Sequence, residues 1–96
     1  MNRHRFYVGT QGNGGQVRHD LAEDYLLSVY GGYSVLDVAG AWRDEHGRVW
    51  REPSKLYECL TTDEVVSPRH VAEALGSFCN QKSVLYTSET VQGDFV

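Results

Sequence analysis

The sequence predicts an α+β fold, a ferredoxin-like two-layer sandwich in which an antiparallel sheet carries two helices on one face. Three observations predict it: the order of elements is strand, helix, strand, strand, helix, strand; this order divides into two strand-helix-strand units; and a tight turn joins the two central strands. Right-handed crossovers interleave two such units in one sheet. A chain of 96 residues suffices for one domain, which we expect to span residues 1–96.

The first half of the pattern begins with a strand over residues 5–9, rich in aromatic and β-branched side chains and followed by a glycine loop. Apolar residues then recur every four positions from Val17 to Val29, which is typical of a helix, and Gly31 and Gly32 end it. The second strand is predicted over residues 33–42. One strand-helix-strand unit is therefore complete before the turn.

A tight turn at residues 44–47 leads into the third strand, over residues 48–60, which Pro53 interrupts. Because proline cannot donate to a ladder, this stretch contains a bulge or lies on an edge. Ser67 and Pro68 suit the cap and first turn of the second helix, which ends near Phe78, and the last strand covers residues 82–87. The second unit repeats the plan of the first.

Alternation along the strands leaves aromatic and apolar side chains on both faces of the predicted sheet. Exposed apolar patches of this kind usually mark interfaces. We therefore expect a homo-oligomer that associates through the sheet, with four residues at the interface: Tyr7, Tyr33, Val35 and Tyr57. A curved sheet that shields these side chains within one protomer is the alternative.

Composition excludes several functional classes. A net charge of −4 argues against general nucleic-acid binding, which needs a concentrated basic face. Cys59 and Cys79 fit apolar patterns and are expected to be reduced and buried, and the histidines lack metal-ligand spacing. We expect no metal, no cofactor and no membrane association, and a cytoplasmic protein, in the host cytoplasm if phage-encoded.

The central hairpin is the first candidate binding site. It interleaves cations that suit phosphates with indoles that can stack on a base: Arg43, Arg48, Arg51, Lys55, Trp42 and Trp50. Acidic neighbours leave cross-strand ion pairs and core packing as the alternative interpretation.

The glycine loop before the first helix is a second candidate contact, because backbone N–H groups at a helix start attract anions. Its predicted members are Gly12, Gly14, Gly15 and Arg18, although no lysine and hydroxyl residue follow as in a P-loop, and ordinary turns also need glycine. Asp37 in an apolar strand is a conceivable general base, but no serine or cysteine nucleophile with a paired histidine is evident. Catalysis is therefore the less favoured class.

The stretch from Gly32 to Lys55 carries the pattern G-Y-S-V-L-D, then G-A-W-R, G-R and R-E-P-S-K, and residues 81–85 read Q-K-S-V-L. It resembles a family of small uncharacterised bacterial and phage proteins with the pattern G-[FY]-[TS]-V-x-D-x-x-G-x-W-R and R-E-x-S-K. The resemblance implies a ferredoxin-like fold and no assigned activity. The compact form of this chain resembles a phage-borne protein more than the bacterial members of that family.

These observations favour a noncatalytic homo-oligomer that sequesters a small anionic, nucleotide-like molecule. If the protein comes from a phage, we expect this molecule to be a signalling nucleotide of the host immune response. A protein-protein interaction module that inhibits a host protein is the alternative. A small ferredoxin-like enzyme is the third possibility.

Overall fold

Four strands and two helices follow one another in the predicted order in the computed structural model, which describes residues 1–12 and 14–96. They are β1 (Asn2–Gly9), α1 (His19–Tyr30), β2 (Ser34–Arg43), β3 (Val49–Thr61), α2 (Pro68–Phe78) and β4 (Leu85–Thr90). The strands lie in the order β2-β3-β1-β4, and all neighbouring strands are antiparallel. This arrangement confirms the ferredoxin-like α+β fold.

Local signals account for the ends of both helices. Gly31 ends α1 with a left-handed φ of 78°, and its N–H donates to the carbonyl of Leu27, which is an arrangement that glycine adopts without strain. The Ser67 hydroxyl accepts from the N–H of His70 at 3.2 Å, and Pro68 fills the first turn of α2. Within the described residues, neither helix is long and apolar enough to cross a membrane.

The core lies between the helices and one face of the sheet. Phe6 of β1 pairs with Tyr57 of β3, and both side chains are fully buried, as are Leu26 of α1 and Leu75 of α2. Cys59 and Cys79 are also buried and reduced. Close packing of these side chains holds the helices to the sheet.

This face assignment corrects the predicted interface. Tyr57 is fully buried, and Val35, its cross-strand partner, lies on the same, helix-side face. Tyr33 precedes β2 and packs edge-on against Tyr57, with ring centroids 5.8 Å apart. Of the four predicted interface residues, only Tyr7 lies on the open face, because residues directly opposite each other on neighbouring strands share a face. Full burial thus removes Tyr57 from the predicted interface, whereas the roles of Tyr7, Tyr33 and Val35 there stay predictions.

The hairpin of β2 and β3 extends beyond the rest of the sheet. β1 pairs with β3 only as far as Gly9 and Ser54, whereas β2 continues to pair with β3 as far as Val49. Pro53 lies where β1 ends, and its carbonyl accepts from the N–H of Thr10 at 3.1 Å. The register has no bulge, so proline occupies the edge position that it tolerates. We call residues 39–43 and 49–53, with their turn, the arm.

Candidate functional site

Two indoles lie side by side on the open face of the arm. Trp42 and Trp50 are directly opposite each other in the register, and their rings stack with centroids 6.2 Å apart at an interplanar angle of 21°. Neither is covered by a helix, and they are 55% and 44% exposed. The pair presents a flat aromatic surface to whatever occupies the adjoining groove.

Asp44 organises the turn that holds these indoles. One carboxylate oxygen accepts from the backbone N–H groups of His46 and Arg48, both at 2.9 Å, and the other accepts from Trp50 Nε1 at 3.0 Å. These donors, Trp50 first, lower the pKa of Asp44. The Arg48 guanidinium lies 5.4 Å from the centre of the Trp50 ring. The indole is therefore fixed before any ligand arrives.

A groove runs across the open face beneath Trp42. It consists of two adjoining cavities of about 380 and 410 Å³, and Trp42 and Glu52 line both. The first cavity is mainly apolar, with Tyr7, Val38 and Leu85 in its lining. The second is more polar, and its lining includes Trp50, Gly12, Arg51 and Lys82. We call the two cavities together the open-face groove.

Glu52 places a half-buried carboxylate at the centre of the groove. Among the described residues, none forms a hydrogen bond or ion pair with it. A Cβ atom on Gly9 would overlap both Glu52 Oε1 and Gln81 Oε1, so the absence of a side chain at Gly9 leaves the space that the two side chains occupy. Such a carboxylate has free acceptor sites for hydroxyl or amino donors of a ligand.

The predicted cations do not converge on one point. Arg51 and Gly12 line the groove with both indoles, and Arg48 covers Trp50. The other three are engaged elsewhere: Arg43 donates to the carbonyl of Gly47 at 3.2 Å, Lys55 pairs with Asp37 at 3.0 Å on the opposite face, and Arg18 pairs with Asp20 at 2.8 Å. Because side chains alternate along β3, the Arg51 side chain points to the face opposite Trp50 and Glu52, as Lys55 does. Lys82, which the sequence did not suggest, supplies a cation at the groove.

Packing explains part of the glycine loop. A Cβ atom on Gly15 would overlap the Asn80 side chain, and one on Gly12 would lie 2.7 Å from the carbonyl oxygen of Gly15. Gly14 has a φ of 79°, which favours glycine. Asn13, within the predicted loop, lies outside the described residues. Close contact with the loop before β4 thus accounts for Gly12 and Gly15 without a bound anion.

A polar network joins α1 to β3 on the covered face. Tyr57 donates to Glu23 at 2.8 Å, Tyr33 donates to the same carboxylate at 3.1 Å, and His19 Nδ1 lies 2.7 Å from the Tyr57 hydroxyl. Burial lowers the pKa of His19, and burial followed by the Glu23 contact raises the pKa of Tyr57. By contrast, Asp37 is 85% exposed beside Lys55, so it lacks the burial expected of a general base.

Comparison with known proteins adds a structural likeness. No family model matches the chain, and no curated protein matches its sequence, so the family resemblance of residues 32–55 stays a prediction. The fold is similar to that of a phage SAM lyase. That protein's structure contains S-methyl-5'-thioadenosine; the TM-score is 0.66 at 15% identity, over 92% of this chain and 79% of that one. At this identity the likeness shows the shared fold.

Sequence reasoning missed Glu52 and Gln81 as groove residues. The alternation that places Trp50 on the open face also places Glu52 there, two positions later, so the signal for Glu52 was present. Gln81 had no such signal. It reaches the groove because its amide donates to the carbonyls of Gln11 and Cys79, at 2.8 and 3.0 Å, contacts that only the folded chain creates.

Proposed function

We propose that this protein binds a small adenosine-type nucleoside in the open-face groove and acts by sequestering it. The observation that carries the proposal is the Glu52 carboxylate, with which no described residue pairs, beside the exposed, stacked pair of Trp42 and Trp50. The likeness to a structure that contains S-methyl-5'-thioadenosine supports an adenosine thioether as the first ligand to test. In a phage, sequestration of such a molecule would deplete a nucleotide-like signal of the host.

Each part of a nucleoside has a matching group in the groove. An adenine ring stacks on the free face of Trp42, a contact worth about 1–3 kcal/mol for a base on an aromatic ring. Ribose hydroxyls donate to Glu52, as they do to the acidic side chains of dinucleotide sites. The apolar cavity lined by Tyr7 and Leu85 suits a thioether substituent. A phosphate, if present, would face Lys82.

The same face supports self-association. Leu36 and Leu85 are each 63% exposed on it, and Leu60 is 38% exposed. An ion pair between Arg5 and Glu58, at 2.9 Å, lies between Leu60 and the row of Leu36 and Leu85. Burial of the three leucines, the apolar strip, by second copies would stabilise a homo-oligomer by about 25 cal/mol per Å² of apolar surface removed from water. We propose that copies meet along the strip and enclose the mouth of the groove.

Thermal unfolding with added nucleosides tests the binding proposal. S-methyl-5'-thioadenosine at 100 times its dissociation constant adds about 2.7 kcal/mol, which raises the unfolding midpoint of a domain this size by about 13 °C. Adenosine monophosphate, run in parallel, tests the anionic class that the sequence suggested. Trp42→Ala should reduce the shift to about half or less, because a tenfold weaker affinity leaves the ligand at only about 10 times its dissociation constant. Thr87→Ala, on the open face of β4, should keep the full shift. The absence of any shift with both compounds would refute the proposal.

The exposed apolar strip also supports a second candidate, a module that docks a host protein. Two measurements distinguish these functions. A nucleoside-binding protein is stabilised against thermal unfolding by nucleosides, whereas a docking module is not. A docking module also loses its partner when Leu36→Asp places a charge in the apolar strip. A lyase reaction on S-adenosylmethionine is the catalytic alternative, which chromatographic detection of S-methyl-5'-thioadenosine after incubation would reveal.

A further inference from the structure

The end of the sheet farthest from the groove holds a buried histidine between a serine and a carboxylate. His4 is 2% exposed on the helix-side face of β1. Its Nδ1 lies 2.7 Å from Ser88 Oγ on β4, and its Nε2 lies 2.6 Å from Glu64 Oε1 in the β3-α2 connection. Ser88, in contrast, is exposed on the edge strand. These three residues take no part in the open-face groove.

Hydrogen-bond accounting fixes the direction of both contacts. Glu64 Oε1 also accepts from Asn2 Nδ2 at 3.0 Å, and an ionised carboxylate can only accept, so His4 Nε2 must be the donor. In the neutral imidazole, Nδ1 is then the acceptor, and the Ser88 hydroxyl donates to it. His4, oriented by the Glu64 carboxylate, thus accepts a hydrogen bond from the exposed Ser88 hydroxyl. This is the arrangement of an activated serine nucleophile.

The strand ladder adds a free donor next to that hydroxyl. Met1 and Val91 exchange both backbone hydrogen bonds, at 3.1 and 2.8 Å, so they form a hydrogen-bonded pair. Such pairs alternate along an antiparallel ladder, and His4 and Ser88, three positions further, form a non-hydrogen-bonded pair. The N–H of Ser88 therefore points away from β1, towards the unpaired edge of β4, where it is free to donate to a developing oxyanion.

We propose that Ser88, His4 and Glu64 form a second site, which takes acyl groups from small activated carboxylic esters. Ser88 Oγ attacks the acyl carbon while its proton passes to His4 Nδ1, and the carbonyl electron pair moves onto oxygen beside the Ser88 N–H. Collapse of this intermediate breaks the bond to the leaving oxygen, which takes the proton from His4. Water then attacks the acylated serine, His4 accepts its proton, and Ser88 leaves and regains that proton.

Glu64 is a positioning residue in this scheme, since its hydrogen bonds among the described residues are to His4 and Asn2. The rings of Tyr30 and Phe6 pack against the imidazole, with centroids 5.5 and 6.4 Å away, and exclude water from its faces. The exposed Ser88 hydroxyl gives a substrate access to the buried imidazole. The site therefore suits small esters that reach the sheet edge, and it needs no movement of the helices.

Incubation of the full chain with p-nitrophenyl acetate tests the proposal. Intact mass spectrometry should show one acetyl group, mapped to Ser88, with a matching burst of p-nitrophenolate. Ser88→Ala should remove the adduct and lower the burst rate by about a hundredfold or more, since positioned general bases contribute about 10² to 10⁴. Thr87→Ala, one residue away on the other face, should leave both unchanged. Acetylation only at lysines or at the Met1 amine, or none, would overturn it.

Two further measurements separate catalysis from a structural role of the cluster. Glu64→Gln keeps an acceptor oxygen but removes the charge that stabilises the protonated imidazole, so the acid limb of the pH-rate profile should move to lower pH. An unmoved profile would contradict the role of Glu64.

Ser88→Cys should react with iodoacetamide at least tenfold faster than Thr87→Cys. Burial raises the pKa of the native Cys59 to about 12 and of Cys79 to about 11, so neither competes. Equal alkylation rates would contradict activation by His4.

Discussion

The two ends of β3 carry aromatic side chains in very different surroundings. Tyr57, in the half that α1 covers, is fully buried and hydrogen-bonded to Glu23. Trp50, seven positions earlier in the same strand, is 44% exposed, stacks on Trp42 of the partner strand and donates to Asp44 in the turn. The difference has two causes. The hairpin extends beyond the helices, and the helices pack on only one face of the sheet, so the open face on which Trp50 lies is uncovered. Large side chains stabilise the fold at one end and remain available for ligands at the other.

The arm has no helix packed on it, and local contacts between its own residues stabilise its geometry. The indole stack and the hydrogen bonds of Asp44 fix both strands and the turn. Cross-strand aromatic pairs contribute up to about 1 kcal/mol. A ligand therefore meets a surface that is already ordered, and little conformational entropy is lost when it binds.

The largest contrast should come from truncating one aromatic side chain in each half. Tyr57→Ala removes a fully buried ring and should lower the free energy of unfolding by about 3–5 kcal/mol, whereas Trp50→Ala should cost about 1 kcal/mol. Urea denaturation followed by far-UV circular dichroism measures both. Similar losses for the two variants would show that the arm belongs to the folding core.

Ligand binding should reverse this ranking. Trp42→Ala should weaken the affinity for S-methyl-5'-thioadenosine by about tenfold or more, since stacking on a ring is worth about 1–3 kcal/mol, while stability changes little. Isothermal titration calorimetry measures the affinity, and Thr87→Ala, on the same face outside the groove, is the matched control. An unchanged affinity would move the site away from the arm.

A smaller effect is expected at the groove carboxylate. Glu52→Gln keeps the shape of the side chain but weakens its acceptance of ribose hydroxyls, so the dissociation constant should rise about tenfold, close to 1.4 kcal/mol. Glu45→Gln, at the exposed turn, makes the same change in net charge and should have no effect. Equal losses in both variants would indicate long-range electrostatics in place of direct contact.

The covered half should also respond to pH through His19. Burial lowers the pKa of this imidazole, so the unfolded chain takes up the proton first as the pH falls through about 6.5. Stability due to His19 is therefore present above this pH and is lost below it. The thermal midpoint should fall between pH 7.5 and 5.5 by more in the wild type than in His19→Gln. A larger fall in the variant would contradict this assignment.

The sequence predicted the elements well because each has a local signal, such as Ser67 and Pro68 at the start of α2. Face assignment failed at Tyr57 because both faces of β3 carry large side chains, and alternation alone does not say which face the helices cover. Gly9 lies against the side chains of Glu52 and Gln81, so three distant segments meet there. No local sequence pattern predicts this contact. Exposed indoles were predictable, whereas the shape of their groove was not.

Intrinsic fluorescence tests the central claim most directly, because the chain has two tryptophans and both line the open-face groove. Titration with S-methyl-5'-thioadenosine should change their emission saturably, and Glu52→Gln should shift the midpoint about tenfold higher. Emission that stays constant up to about 1 mM ligand, in a protein that remains folded, would contradict binding in this groove.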